Sequence, residues 1–361
     1  MAASPVDAPA LATPIVETKP SEVSELSKEY DAPIGIAHTT MQALKDRIKK
    51  HYDLASDYYL NLWGEHIHHG YWATEQSKAT DSKEEAQINL IRLLLDISQL
   101  APGSHVLDVG CGIGGTSRFL ASQLGCTVTG ITISGKQVEM ATRLTKTEAT
   151  KESSIIGSSS KPNNTSNDVV AEDADGFIRL GKGMVRFVEL DAEKLGESSS
   201  NPAVFGNTAI GSKFDAVWIS EALSHFPNKA LFFRNAQSML REGGKLVLAD
   251  WFKAEGLDQS KFDADIKPIE DGMLLPPLCT QPEYVQLAKD AGLKVLSAPK
   301  DISQEVAKTW DISWTLVQKP ALWAFAGGQG RDGIAFLQAF RAMRRGYADG
   351  SFRYAVMAFE K

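Results

Sequence analysis

The sequence is poor in cysteine, in long apolar runs and in positive charge. Its three cysteines, Cys111, Cys126 and Cys279, make no C-x-x-C pair and no even framework, which excludes a disulfide scaffold and points to a reducing compartment. No apolar run approaches the roughly 20 residues that span a bilayer, so no integral membrane segment is expected. Lysine and arginine number 38 against 45 aspartates and glutamates, a net charge of -7. That balance leaves no basic footprint for nucleic acid or an anionic membrane surface. The first 35 residues hold no arginine and no apolar core behind a basic start, so neither a transit peptide nor a secretory signal fits them. We read residues 1–37 as a disordered tail and the cytoplasm as the address.

What is present is ordinary for a globular chain. With 43% hydrophobic and 23% charged residues over 361 positions, it can build one large α/β domain with insertions or two small ones. From about His38, apolar residues recur at helical spacing, Met41, Leu44 and Ile48, then Leu54, Tyr58 and Leu62. A second amphipathic stretch over 82–97 leads to the turn at Pro102 and Gly103. Beyond it, apolar runs at 106–109, 127–133, 185–191, 214–220 and 245–251 are separated by helical patterns over 134–149, 226–240 and 282–291. Two later strands, LKVLSA and FRYAVMAFEK, close the series. This rhythm predicts an α/β fold with a doubly wound, seven-stranded, mostly parallel sheet. Residues 150–181 and 196–212 break it: rich in Ser, Asn and Gly, they cannot repay ordering and read as flexible surface insertions. Segments 252–281 and 303–346, the latter with Trp310, Trp314, Trp323, Phe325, Phe336 and Phe340, read as caps on the sheet within one domain spanning 38–361.

The chain is organised around 106–115, VLDVGCGIGG, followed by the amphipathic TSRFLASQL: strand, tight turn, helix. Glycines there permit positive φ and let a ligand approach the backbone, and the turn sets N–H groups at a helix N-terminus where a nucleoside cofactor can sit. Gly110, Gly112 and Gly115 also satisfy the G-x-G-x-x-G dinucleotide spacing, so the motif by itself admits a nicotinamide cofactor as well as S-adenosyl-L-methionine. Asp108 argues for the second. At the carboxyl end of its strand it would repel a pyrophosphate but attract the ammonium of an amino-acid moiety, which NAD lacks.

Six motifs in order, YDLASDYYLNLWGEHIHHGYW, VLDVGCGIGG, GITISGKQ, LDAEKL, SEALSHFPNK and YAVMAFEK, resemble the class I S-adenosylmethionine-dependent methyltransferases. Within them the chain is most similar to the branch of tocopherol methyltransferases, plant alkaloid N-methyltransferases and sugar O-methyltransferases, and more distantly to cyclopropane-fatty-acid and sterol methyltransferases. The resemblance covers about Ile48 to Lys361 apart from the two insertions. It implies a Rossmann-like sheet under an N-terminal helical lid, and S-adenosyl-L-methionine as cofactor. Asp108, Gly110, Cys111, Gly112 and Gly114 would hold its methionine part and ribose. The family's second strand usually ends in an acidic residue; here Thr132 stands in that place, and Thr132 and Gln137 inherit the ribose contact. The missing carboxylate also counts against a nicotinamide, whose ribose needs an acid. Asp191 and Ala192 would meet the adenine, although Asp191 equally suits a helix N-cap. The resemblance sets Tyr52, Gly70, Tyr71 and Trp72 in the lid near the sulfonium and carboxylate, where an aromatic face attracts the cation. Four histidines within 19 positions, His51, His66, His68 and His69, invite a metal, but no carboxylate or cysteine recurs at zinc-like spacing and none is expected.

Methyl transfer from a sulfonium requires alignment of acceptor, methyl and sulfur, and removal of the acceptor's proton. His225, in SEALSHFPNK at the carboxyl edge of the sheet, is the expected base. Asp250, at the end of the next strand, is expected to orient its imidazole, as in the His and Asp pair of the resembled sugar O-methyltransferases. Plain structural roles compete at both positions, a helix start before Pro227 and a strand-end turn. Glu221 is a second acid by the cofactor and acceptor. Trp251, Phe252, Met273, Trp310 and Trp314 are candidate walls for an apolar acceptor. The expected function is methyl transfer to an O or N, or an activated C, of a small-molecule acceptor, a specialised metabolite, with no nucleic acid partner. The alternatives are a non-catalytic S-adenosyl-L-methionine-binding module and an NAD(P)-dependent oxidoreductase.

Overall fold

The computed structural model describes residues 63–156, 172–198, 213–317 and 331–361, together with Asp46, Ile48, Lys49, Tyr52, Asp53, Ser56 and Leu60. Met41, Leu44, His51, Leu54, Tyr58, Leu62, Trp323 and Phe325 lie outside the described residues, as do most of the two Ser- and Asn-rich insertions.

Eight strands alternate with helices in the described chain: β1 (His105–Val109), β2 (Thr127–Thr132), β3 (Ile178–Leu180), β4 (Gly183–Glu189), β5 (Phe214–Ser220), β6 (Leu240–Lys253), β7 (Lys294–Asp301) and β8 (Phe352–Glu360). They form one sheet in the order β3-β4-β2-β1-β5-β6-β8-β7. Five neighbours, β4, β2, β1, β5 and β6, run parallel, and β8 pairs antiparallel with both β6 and β7. The expected α/β sheet is therefore present with one strand more than the seven anticipated. Ile178 and Leu180 are buried on either side of exposed Arg179, and this short alternation, inside a stretch read as a flexible insertion, pairs antiparallel with β4. The helix after β2 also runs on to Ile156 rather than ending near 149.

Helices cover both faces because the central strands are apolar on both. Along β6, Val247, Ala249 and Trp251 join the core with α1 (Lys83–Ser98) and α2 (Gly115–Leu124), whereas Leu246, Leu248 and Phe252 join the one with α4 (Lys229–Met239) and α6 (Gln281–Asp290). Between them in sequence, α3 (Gly135–Ile156) covers β2 and β4, and α5 (Lys267–Gly272) packs on α8 (Arg331–Asp349), which also touches α7 (Lys308–Val317). The chain moves outward from β1 through β2 to β4, then returns to the other side of β1 with β5. The switch in direction lies between β1 and β5, and there the carboxyl ends of adjacent strands diverge to leave a crevice.

Candidate active site

The crevice is a cleft open to solvent, at the place where sheets of this topology bind their ligands. Three strand ends frame it. From β1 come Asp108, Gly110, Cys111 and Gly112; from β2, Thr132 and Gln137; from β5, Ser220, Glu221 and then His225. Tyr52 and Ile48 approach from the N-terminal segment, Glu65, His66, Ile67 and His68 from the loop before α1, and Ala192 from beyond β4. Ten of the sequence-derived site residues thus meet in one cleft.

The glycine turn earns its conformation locally. Gly110, Gly112 and Gly114 have φ of 70°, 54° and 81°, in the region that L side chains avoid. Their surroundings differ. A Cβ on Gly110 would overlap the Ala222 methyl, one on Gly114 would meet the Phe187 ring at 2.5 Å, and one on Gly112 would stand in open space. Gly112 therefore marks the side of the turn open to a ligand, and Gly114, the N-cap of α2, serves the packing of α2 on β4.

The donor set suits S-adenosyl-L-methionine. Asp108 is 3% exposed, and its Oδ2 accepts from the Ser117 hydroxyl at 2.5 Å. Burial pushes its carboxyl up to about 6, with the Ser117 bond opposing. At the end of β2, Thr132 Oγ1 donates to Gln137 Oε1 at 2.6 Å, a pair of neutral groups able to meet ribose hydroxyls, and the neighbouring Ser134 hydroxyl donates to Asp53 Oδ1 at 2.5 Å. Ser220 Oγ, His66 Nδ1 and His68 Nε2 are buried at the cleft with no hydrogen-bond partner among the described residues. Burial drives His66 down to about 3 and also lowers His68, so both rings are neutral near pH 7 (about), and because His68 Nδ1 donates to the His69 carbonyl at 2.9 Å its Nε2 is an acceptor.

Several expected residues fall elsewhere. Gly70, Tyr71 and Trp72 do not line the cleft. The Gly70 N–H donates to Thr309 Oγ1 at 3.0 Å, Tyr71 N to Ala86 O at 2.8 Å and Trp72 N to Glu305 O at 3.0 Å; these bonds pull the chain away from β1 onto α1 and the cap. Trp72 is fully buried and a Cβ on Gly70 would overlap its ring. The loop residues just before them face the cleft instead, with the Glu65 carbonyl pressed against Gly115. Asp191 caps the turn of 3₁₀ helix at Ala192–Lys194, accepting from Glu193 N at 2.9 Å, and its neighbours Leu190 and Ala192 line the cleft in its place.

Asp250 is not the partner expected for His225. It is wholly buried and accepts from the Tyr284 hydroxyl at 2.9 Å and from the Trp251 N–H at 2.9 Å. Side chains alternate along a strand, so Asp250 points with Leu248 and Phe252 toward α6, while Trp251 takes the face that His225 occupies. Burial raises the Asp250 carboxyl to about 6 against these two bonds. His225 Nε2 instead lies 3.3 Å from the Tyr52 hydroxyl, and its ring is 6.3 Å from that of Trp251. Burial and the Glu221 charge push Tyr52 up to about 12, so its hydroxyl stays protonated.

The carboxylate–imidazole pair of this site is one the sequence did not single out, Glu221 and His69. His69 donates from its backbone N–H to Glu221 Oε1 at 2.7 Å, and its Nδ1 lies 2.9 Å from Oε2. Tyr354 Oη donates to the same Oε1 at 2.8 Å. Its sequence signal was the HIHHG cluster, which the metal question absorbed.

Comparison with known proteins agrees with this fold. The family model for mycolic acid cyclopropane synthetase matches residues 39–160, and a methyltransferase domain model matches 178–248. The 27-O-demethylrifamycin SV methyltransferase of Amycolatopsis mediterranei (strain S699) is 31% identical over 266 residues, 73% of this chain and 79% of that one. A chloroplastic tocopherol O-methyltransferase of Arabidopsis thaliana is 25% identical over 347 residues, 91% and 85% of the two chains. The crystal structure of mycolic acid cyclopropane synthase CmaA1 complexed with SAH and CTAB shares the fold, with a TM-score of 0.63 at 20% identity over 87% of this chain and 97% of that one. With family models and relatives of this identity and coverage, the chain belongs to the class I S-adenosylmethionine-dependent methyltransferases.

Proposed function

We propose that this enzyme, which transfers methyl groups from S-adenosyl-L-methionine to small-molecule acceptors, acts on a hydroxyl oxygen of an apolar specialised metabolite, with His225 taking the hydroxyl's proton. The position of His225 carries the proposal. Its ring lines the donor cleft between Tyr52, 6.0 Å away edge to face, and Trp251, where a base stands between the donor and the aromatic cap. Bound S-adenosyl-L-methionine supplies a methyl group on a positively charged sulfur that departs as a neutral thioether. The chain's task is to align and to deprotonate. Tyr52 holds the imidazole at Nε2, Asp108 supplies the charge for the donor's ammonium, Thr132 and Gln137 meet its ribose, and Ala192 borders its adenine. Trp251 buries an indole N–H with no hydrogen-bond partner among the described residues, a donor suited to an acceptor oxygen. Relatives named for O-methylation, of tocopherol and of a rifamycin, favour oxygen over nitrogen. The net charge of -7 favours a small acceptor over a nucleic acid, and the free thiols of Cys111, Cys126 and Cys279 suit the reducing cytosol.

The test is to incubate the purified chain with methyl-labelled S-adenosyl-L-methionine and a panel of tocopherols, 2-methyl-6-phytyl-1,4-hydroquinone and 27-O-demethylrifamycin SV, compounds named for its relatives' reactions. Mass spectrometry then locates the label. Label on oxygen supports the proposal, and label on ring carbon or nitrogen replaces it. His225→Ala is expected to lower kcat by roughly 10²- to 10⁴-fold with S-adenosyl-L-homocysteine affinity retained; an unchanged kcat removes His225 as base.

A further inference from the structure

Glu221 is an unusual residue to find where it is. It leaves β5 with φ of 55°, the left-handed region that a non-glycine residue occupies at a cost. The next residue, Ala222, presses on Gly110 of the glycine turn, so the strained step sets the Glu221 side chain directly beside that turn. Its carboxylate is buried, yet both oxygens are engaged: Oε1 by His69 N–H and by Tyr354 Oη, Oε2 by His69 Nδ1. These bonds come from two distant parts of the chain, the loop before α1 and β8. A third, α8, closes the set through Tyr347, whose hydroxyl lies 3.4 Å from His69 Nε2. Four aromatic rings, Trp251, Trp310, Tyr347 and Tyr354, surround the His69 imidazole at centroid distances of 4.8–6.2 Å and leave it one orientation.

A carboxylate accepts about four hydrogen bonds, and three are used, so Glu221 retains one open direction in the cleft it lines. Asp108 stands at the end of β1, Thr132 and Gln137 at the end of β2, and Glu221 on the opposite side, at the end of β5. If the first takes the donor's ammonium and the second its ribose, the sulfur between them faces Glu221. We propose that Glu221 is the counter-charge to the sulfonium of the methyl donor, and that His69 is the residue that positions it. The inference rests on the reading of this cleft as the donor site. The groups that face Glu221 are consistent with a fixed negative charge. Burial raises its carboxyl, but the charge and hydrogen bonds of His69 outweigh burial and hold it below the ordinary value. Tyr354, Tyr347 and Tyr52 are each raised by burial and then by Glu221, and so remain protonated donors around it.

The consequence is a preference that differs between donor and product, because S-adenosyl-L-methionine carries the sulfonium charge and S-adenosyl-L-homocysteine does not. Calorimetric titration of both compounds into the parent, Glu221→Gln, His69→Phe and His69→Asn reads it without any acceptor. Glu221→Gln is expected to weaken the charged compound roughly tenfold relative to the neutral one. His69→Phe should do the same near neutral pH, because burial then acts on the carboxyl unopposed, and should regain the preference as pH rises. His69→Asn, whose amide replaces the Nδ1–H donor, should restore it. An affinity ratio equal in all four proteins, with only the melting temperature lowered, overturns the inference and leaves the pair a packing feature. If the parent binds neither compound, it is the donor-site reading that has failed. Should His69→Phe not fold, nitrogen-15 NMR of the parent decides: a proton on His69 Nδ1 that is lost or shared in Glu221→Gln supports the positioning role, and an Nδ1 bare in the parent refutes it.

Discussion

Asp108 gives the sharpest expectation, because its cost to the empty protein and its use to the loaded one are the same property. A carboxyl raised by burial from 3.8 to about 6 penalises the folded state by roughly 3 kcal/mol when ionised. The folded value lies above the unfolded one, so the protonated form stabilises the fold. That stability is fully present below 3.8 and is lost as pH rises through about 6. Asp108→Asn, which can keep the Ser117 hydrogen bond, should therefore make the ligand-free chain more stable by up to about 3 kcal/mol near pH 7, and by much less at about pH 4. Unfolding entropy of about 2.1 cal/mol/K per residue makes this a rise of about 4 °C for the 361-residue chain. Binding runs the other way. A cation needs the ionised carboxylate, so S-adenosyl-L-homocysteine should bind the parent about tenfold more weakly for each pH step below 6 (about), and should bind Asp108→Asn weakly at every pH. Scanning calorimetry with and without ligand across pH measures both. A variant that is less stable than the parent near neutrality, yet binds with parental affinity, would show that Asp108 is an ordinary packed polar residue and refute the donor-site reasoning.

The glycine turn separates space from strain: Gly112→Ala, with room for its methyl but φ of 54°, should cost about 1–2 kcal/mol and abolish ligand-induced stabilisation, since the methyl stands in the cleft. Gly114→Ala, which meets the Phe187 ring, should lower the melting temperature more and leave the affinity of the folded fraction near the parent's; equal effects of the two on affinity would contradict the assignment of their sides. Asp250→Asn should stabilise the chain near neutral pH, because burial raises this carboxyl to about 6, and should leave the pH–rate profile unmoved, whereas a shifted profile would restore it as the orienting partner of His225. Trp72→Ala should cost about 3–5 kcal/mol as a buried large-to-small change, with calorimetric affinity for S-adenosyl-L-homocysteine unchanged in the folded protein; a selective loss of affinity would return Trp72 to the cofactor.

Much of the architecture was legible because its signals are local. The parallel strands announce themselves as apolar runs that must be covered on both faces, and VLDVGCGIGG announces a turn because positive φ at three nearby positions is feasible only with glycine. β3 was missed for the complementary reason: three residues, one of them arginine, inside a Ser- and Asn-rich stretch give no periodicity, and Ile178 and Leu180 become a strand only because the edge of β4 is there to pair with them. The lid was placed one step too far along. HIHHGYW reads as a single aromatic cluster, yet hydrogen bonds from three successive backbone N–H groups after His69, one to the Thr309 hydroxyl and two to carbonyls, turn Gly70, Tyr71 and Trp72 onto α1 and the cap, and no composition signal marks where a chain turns away.

The misassigned partner of His225 shows where such reasoning stops. Adjacency of β5 and β6 does bring the ends of both strands to one edge, and an acid there is a natural companion for a histidine. Which face the acid takes depends on strand parity, and parity is readable only when polar and apolar residues alternate. KLVLADWF does not alternate; it is buried on both faces, with Ala249 and Trp251 in one core and Leu248 and Phe252 in the other. A carboxylate in such a strand is invisible as to side. Glu221 escapes the ambiguity because it stands past the last paired residue of β5, where a left-handed step rather than the pleat sets its direction. The orienting geometry sought at Asp250 was thus built one strand earlier and with a different imidazole: His69, carried in from the loop before α1, holds Glu221, while His225 is left beside Tyr52 and Trp251.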